Sequence, residues 1–73
     1  MIPKQHFVNK LRELDFKFNR PGDRVELWRQ KGTGKLITVP RRDLIPEAHV
    51  RHSLRQCGRG QSEIDAFIAA AKT

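Results

Sequence analysis

The sequence predicts an α+β domain with the element order α-β-β-β-α, followed by a short additional C-terminal helix. Two observations carry this prediction. Apolar residues recur with a helical period near both ends of the chain, and three short apolar segments joined by turn-forming residues lie between them. Short connections favour a three-stranded antiparallel sheet with helices packed on one face. A chain of 73 residues is expected to form one domain.

The first helix is predicted over residues 3–14, because apolar side chains fall there on one face of a 3.6-residue period. This stripe consists of Phe7, Val8, Leu11 and Leu14. Pro3 suits the first turn of a helix, and Asp15 tolerates the left-handed conformation that ends one.

The first two strands follow on either side of a Pro-Gly-Asp turn at residues 21–23. Residues 16–20 alternate between apolar and polar, so Phe16 and Phe18 are expected on one face. Alternation divides the second strand into Val25, Leu27 and Arg29 on one face and Arg24, Glu26 and Trp28 on the other. Trp28 is predicted to be either a partner-facing aromatic residue that stacks on a base or part of a core on the second face of the sheet.

The third strand is predicted over residues 36–39 and ends at Pro40, which cannot donate to a sheet. It follows a turn at residues 31–34 whose glycines accept positive φ. The core residues predicted on the strands are Phe16, Phe18, Leu36 and Val39. Residues 41–45 are expected to form a loop.

Two further helices are predicted after that loop. One begins at Pro46, has an apolar stripe, and stops at Gly58. The other begins at Ser62, with Asp65 in a weak capping box. Helices one and two are expected to cover the Phe16/Phe18 face and leave the other face for solvent or a partner. This layout with a basic centre is also that of a double-stranded-RNA-binding domain.

Positive charge is concentrated in the middle of the chain. The net charge is +7, and residues 16–59 account for all of it, since they hold eleven Lys/Arg and four Asp/Glu (11 − 4 = 7). Such a surface favours phosphate binding, with docking of an acidic protein as the alternative. The residues predicted to contact RNA are Lys17, Arg20, Arg24, Trp28, Arg29, Lys31, Lys35, Arg41, Arg42, Arg51 and Arg55.

Other features of the composition point away from several classes of protein. The single cysteine, Cys57, permits no internal disulfide and no cysteine-based zinc set, so neither a metal nor another cofactor is predicted. No apolar run approaches the roughly 20 residues of a membrane span, and the N-terminal residues lack a signal-peptide core. A cytoplasmic location without membrane association is therefore expected.

Residues 34–40, GKLITVP, together with Ile45-Pro46 and VRHSLRQCG at residues 50–58, resemble the HicA toxin family. The resemblance covers about residues 5–58, within a domain core of about residues 4–58, and leaves residues 59–73 as a C-terminal helical extension. It implies a double-stranded-RNA-binding-like fold and a metal-independent endoribonuclease. Such a toxin cleaves mRNA, inhibits translation, and is neutralised by a HicB-like antitoxin.

The family's catalytic histidine is absent from this chain. Its place falls on Arg24 or Val25, in the stretch Gly22-Asp23-Arg24-Val25. Arg24 keeps its proton, so it could stabilise phosphate charge but could not act as a base. His49 and His52, three residues apart on the second helix, are the other candidates for proton transfer.

Three functions therefore stay open at the level of the sequence. The first is a HicA-like toxin that cleaves mRNA. The second is a HicA-fold RNA-binding or regulatory module without nuclease activity, suggested by the missing histidine. The third is a small basic adaptor that docks an acidic protein.

Overall fold

A computed structural model describes residues 1–72 as an α+β fold with a three-stranded antiparallel sheet and three helices. The helices are α1 (Lys4–Glu13), α2 (Glu47–Gln56) and α3 (Gln61–Ala71). The strands are β1 (Ile2–Pro3), β2 (Phe16–Pro21), β3 (Val25–Gln30), β4 (Leu36–Pro40) and β5 (Leu44–Ile45). None of the helices in the described residues has the length and apolarity needed to span a bilayer.

The main sheet has the strand order β2-β3-β4, which confirms the predicted meander. Its register places Trp28 opposite both Phe18 and Ile37. The next residue, Arg29, lies opposite Lys17 and Leu36. Because directly paired residues share a face, these two rows project to opposite sides of the sheet. A bulge between Phe18 and Arg20 shifts the register of β2, so that Arg20 pairs with Leu27.

One face of this sheet and the three helices form the hydrophobic core. The sheet contributes Phe16, Trp28, Ile37 and Val39. The helices contribute Phe7, Val8, Leu11, Val50, Leu54, Ile64, Ile68 and Ala71. Since α3 supplies fully buried side chains, the hydrophobic core extends past residue 58. An ion pair between Arg51 and Asp65 (2.7 Å) also joins α3 to α2.

Two residues predicted in the core are instead about half exposed. Leu36 is 47% exposed, because alternation along β4 allows Ile37 and Val39 to face the helices and turns Leu36 away from them. Phe18 is 51% exposed although Phe16 is buried. It lies on the edge strand of the sheet, where it has a neighbouring strand on only one side.

Trp28 belongs to the core. Its side chain is 4% exposed, on the same helix-covered face as Phe16. Trp28 lies on the opposite face of β3 from Val25 and Leu27, as predicted. The helices, however, cover the face that holds Trp28. Its indole is therefore not exposed for stacking on a base.

A second, two-stranded sheet was not predicted. Ile2 pairs with Ile45 and Pro3 pairs with Leu44, and both isoleucines are fully buried. Pro3 therefore precedes α1 instead of opening it, and the predicted loop at residues 41–45 ends in a strand. The pairing fixes the start of the chain beside the segment that leads into α2.

The predicted ends of α1 and α2 are confirmed by backbone conformation. Asp15 follows α1 with φ of 68°, and Gly58 follows α2 with φ of 79°. Both values lie in the left-handed region that ends helices. The tight reversal at Asp15 leads directly into β2, so α1 packs against that strand.

Candidate nucleic-acid interface

The structure gathers three arginines and one histidine around an open cleft of about 540 Å³ at one end of the sheet. We call the group Arg24, Arg41, Arg42 and His49 the arginine cleft. Val25, Pro40 and Pro46 complete its lining. The sequence places these residues on three separate segments, and the fold brings them together.

Arg24 reaches the cleft from the turn between β2 and β3. The N–H of Gly22 donates to the carbonyl of Val25 (2.8 Å), which closes the turn. Arg24 has φ of 61°, a conformation uncommon for residues other than glycine. Its carbonyl accepts a hydrogen bond from the N–H of Arg41 (3.4 Å), so the turn is joined to the end of β4. Arg24 and Arg41 are thus held together by the backbone.

His49 reaches the same cleft from the first turn of α2. Its Nε2 lies 2.8 Å from the carbonyl oxygen of Thr38, and its ring packs edge-on against Phe7 with centroids 6.2 Å apart. A carbonyl oxygen only accepts hydrogen bonds, so Nε2 carries the proton in this contact. The neutral imidazole then keeps its lone pair on Nδ1. The two contacts orient the ring of His49, and for a neutral ring the contact with Thr38 favours the Nε2–H tautomer.

The electrostatic character of the cleft is one-sided. No Asp or Glu is among its lining residues. The first turn of α2 also opens on it, and the N-terminal end of a helix carries partial positive charge. Glu47 lies in that turn, but it pairs with Arg51 (3.7 Å) and Lys72 (3.8 Å). The arrangement attracts an anion and offers it several N–H donors.

Glu26 is a nearby carboxylate that is already engaged by other groups. Lys4 donates to its Oε2 (2.9 Å) and the indole N–H of Trp28 donates to its Oε1 (3.1 Å). The hydrogen bond from Lys4 is the main reason that the pKa of Glu26 is lowered, with further contributions from Trp28 and the charge of Arg41. Glu26 thus stays ionised and anchors α1 to the sheet.

Glu26→Gln is expected to reduce stability at neutral pH and to flatten its pH dependence in acid. The folded-state pKa lies below the unfolded value of about 4.3, so the carboxylate stabilises the fold above that value. This contribution is lost as pH falls through the folded-state pKa. Thermal unfolding from about pH 3 to pH 7 measures the effect. Lys4→Met removes the main cause and should flatten the same curve, whereas wild-type acid dependence in both variants would contradict the assignment.

The helix-free face of the sheet is a second cationic surface. Lys17, Arg20 and Arg29 lie on it in register with Leu36 and Leu27, and no Asp or Glu shares that face of β2–β4. The guanidinium of Arg29 also lies against Gly34. A Cβ added to Gly34 would stand 3.3 Å from the nearest guanidinium nitrogen. These three cations were predicted as RNA contacts, and all three are exposed.

Several other predicted residues lie away from both surfaces. Arg51 pairs with Asp65 and Glu47, and Arg55 donates to Gln61 (3.0 Å), so both are engaged between α2 and α3. Lys35 donates to the carbonyl of Gln56 at the end of α2. His52 is exposed on α2 and is not among the residues that line the arginine cleft.

Sequence reasoning overlooked one cation near the sheet. Arg12 projects from α1 and its guanidinium lies 5.6 Å from the centroid of the Trp28 ring. Its position on the polar side of a helical stripe gave no signal, because only the fold brings α1 over Trp28.

Within residues 1–72, no three His, Cys, Asp or Glu side chains are grouped so that they could hold a metal ion. No family model, no curated protein and no solved structure matches the chain.

Proposed function

We propose that the protein is a HicA-like toxin that binds and cleaves mRNA, inhibits translation and is neutralised by a HicB-like antitoxin. The observation that carries the proposal is the meeting of Arg24, Arg41 and Arg42 with His49 in one cleft. The order of α1, β2, β3, β4 and α2 supports the double-stranded-RNA-binding-like arrangement that the proposal implies.

Phosphate recognition is the first requirement, and the arginines meet it. A guanidinium group presents several N–H donors in one plane and can donate to two phosphate oxygens at once. Three of them around one opening can contact a phosphate group and its neighbour, while Lys17, Arg20 and Arg29 extend the positive surface along the strand. An RNA backbone is a ligand that such a surface suits.

Proton transfer is the second requirement, and His49 offers it. In the proposed step, Nδ1 takes the proton of a ribose 2′-OH as that oxygen attacks the adjacent phosphorus. The bond from phosphorus to the 5′-oxygen breaks, and that oxygen takes a proton from water. The hydroxide that is left takes the proton from Nδ1 and restores the neutral histidine. The products are a 2′,3′-cyclic phosphate and a 5′-hydroxyl. The arginines stabilise the charge that builds up on the phosphate oxygens.

A second candidate is an RNA-binding module of the same fold that does not cleave. The observation in its favour is the position of His49, whose ring supports packing between Phe7 and Thr38. A histidine so placed also serves a purely structural purpose. RNA binding without cleavage is the result that would select this candidate.

The test of cleavage is incubation of the purified protein with mRNA in the presence and absence of EDTA. We expect cleavage in both conditions, with cyclic phosphate at the new 3′ ends and growth arrest on induced expression. RNA that is bound but uncut selects the second candidate. Absence of RNA binding at moderate salt, together with binding of an acidic protein, overturns both.

The salt dependence of RNA binding gives a prediction for individual arginines. Arg41→Ala and Arg42→Ala are each expected to reduce the slope of log K against log salt by about 0.7, the value for one lost phosphate contact on a single strand. Titrations at several salt concentrations measure the slope. Arg51→Ala is the matched control and should leave it unchanged, because Arg51 is paired with Asp65 and Glu47. Equal slopes for all three variants would contradict the assignment.

A further inference from the structure

Phe18 is an aromatic side chain that the fold leaves outside the core. Half of its surface is exposed, on the edge strand β2. Its ring meets the buried Trp28 edge-on, with centroids 6.1 Å apart and planes at 85°. Trp28 thus supports one side of the Phe18 ring, and about half of the side chain stays accessible.

Two hollows adjoin Phe18. One, of about 440 Å³, is also lined by Arg12 and Trp28, and the other, of about 370 Å³, is also lined by Asn19 and Arg29. Lys17 and Lys31 line both. Each volume falls within the range of roughly 300–1,000 Å³ that is usual for small-ligand pockets. Phe18 is therefore an aromatic residue that lines both of these ligand-sized depressions.

Cations surround this aromatic ring. Within the described residues, Arg12, Lys17, Arg29 and Lys31 form no ion pair with a carboxylate. Asp15 is the one acidic residue that lines either hollow. Phe18 thus offers an accessible aromatic ring among unpaired positive charges. This combination suits a ligand that has both a flat ring and a negatively charged backbone. An acidic peptide would use the charges and leave the ring without a matched partner.

We infer that Phe18 is a stacking platform for a base of single-stranded RNA, with the flanking phosphates held by Lys17 and Lys31. The inference rests on the proposed function, since it takes RNA as the ligand. Phe18 pairs with Trp28, which lies three residues along β3 from Val25 of the arginine cleft. That separation is about 10 Å at the rise of a β-strand. One RNA strand with on the order of three to four nucleotides stacked at 3.4 Å reaches both.

The test compares Phe18→Ala with wild type in binding an oligouridine of about ten nucleotides, a length within the usual site size. We expect the affinity to fall roughly 5- to 150-fold, the range for loss of one base–aromatic stack. Phe18→Tyr keeps a π-face and should bind like wild type, whereas Phe18→Leu keeps only apolar area and should bind like the alanine variant. The fluorescence of Trp28, the only tryptophan, is expected to change on binding because its ring contacts Phe18.

An abasic oligonucleotide with the same number of phosphates is the decisive control. Its affinity should be the same for wild type and Phe18→Ala, because it offers no base to stack. Equal losses for the abasic and uridine ligands, or no loss for either, overturn the platform. The platform is also overturned if polyglutamate competes with oligouridine for wild type and if the substitution Phe18→Ala weakens polyglutamate as much as it weakens oligouridine.

Measuring both RNA binding and RNA cleavage distinguishes failure of this inference from failure of the proposed function. Loss of oligouridine affinity in Phe18→Ala supports the platform even if wild type leaves RNA uncut. Cleavage of mRNA by wild type, with oligouridine affinity unaltered in Phe18→Ala, overturns the platform and leaves the proposed function standing. Failure of wild type to bind any RNA overturns both.

Discussion

Under the proposed function, His49→Gln is expected to slow RNA cleavage by about 10²- to 10⁴-fold, the usual contribution of one general base. Glutamine ends in an amide N–H that can still donate to the carbonyl of Thr38. It has no nitrogen that accepts a proton at neutral pH, so the substitution removes the proposed base and retains the contact. RNA affinity and thermal stability should stay near their wild-type values. Single-turnover cleavage of a labelled RNA measures the rate.

His52→Gln is the matched control for this prediction. His52 lies one helical turn along α2 from His49, is exposed, and is not among the residues that line the arginine cleft. The same substitution there should leave the cleavage rate unchanged. If His49→Gln cleaves at the wild-type rate, the base lies elsewhere; if both variants lose activity equally, the two histidines act together.

Phe7→Ala is expected to destabilise the domain by about 3–5 kcal/mol, as is typical for removal of a buried phenylalanine. Phe7 is fully buried and its ring supports that of His49. A domain of this length has a total stability of roughly 4–11 kcal/mol at the usual 0.05–0.15 kcal/mol per residue. The substitution therefore removes a large part of the total, and it also loosens the arginine cleft.

Denaturant or thermal unfolding measures this loss. At about 4–8 °C per kcal/mol for a domain of this size, the melting temperature should fall by more than about 12 °C. Phe18→Ala is the control, because it makes the same chemical change at a half-exposed site. A smaller loss in Phe7→Ala than in Phe18→Ala would contradict the packing described for α1.

Local sequence patterns were sufficient to predict the main elements of this fold. Apolar stripes predicted the helices, because a helix depends on periodicity. The turns around β3 predicted the meander, because a hairpin depends on turn chemistry. The pairing of Ile2 with Ile45 gave no such signal. Two residues do not make a period, and the partners are far apart in the sequence.

The face assignments show where single-strand alternation stops being informative. It separated Trp28 from Leu27 correctly, but it could not tell which of the two the helices cover. Leu36 and Val39 were both predicted in the core, although residues three apart on a strand face opposite sides. Phe18 shares the parity of Phe16 and is nevertheless exposed, because exposure at a sheet edge depends on what packs beside it.

The candidate site was predictable only as a list of residue types. Charge segregation identified Arg24, Arg41 and Arg42 as cations, and His49 as a titratable residue, without placing them together. Their meeting depends on the hydrogen bond from Arg41 to Arg24 and on that between His49 and Thr38. Arg51 has the same chemistry as the cleft arginines, yet its pairing with Asp65 removes it from the surface that we propose for RNA.

The pairing of β1 with β5 has a consequence for the order of assembly during synthesis. Chains are made from the N-terminus at about 5–20 residues per second, so Ile2 emerges long before its partner Ile45. The residues of β2, β3 and β4 are synthesised before those of α2, so the growing chain at that stage carries the cations of the strands and lacks His49. Under the proposed function, a chain still being translated cannot cut its own message until α2 has been added and docked.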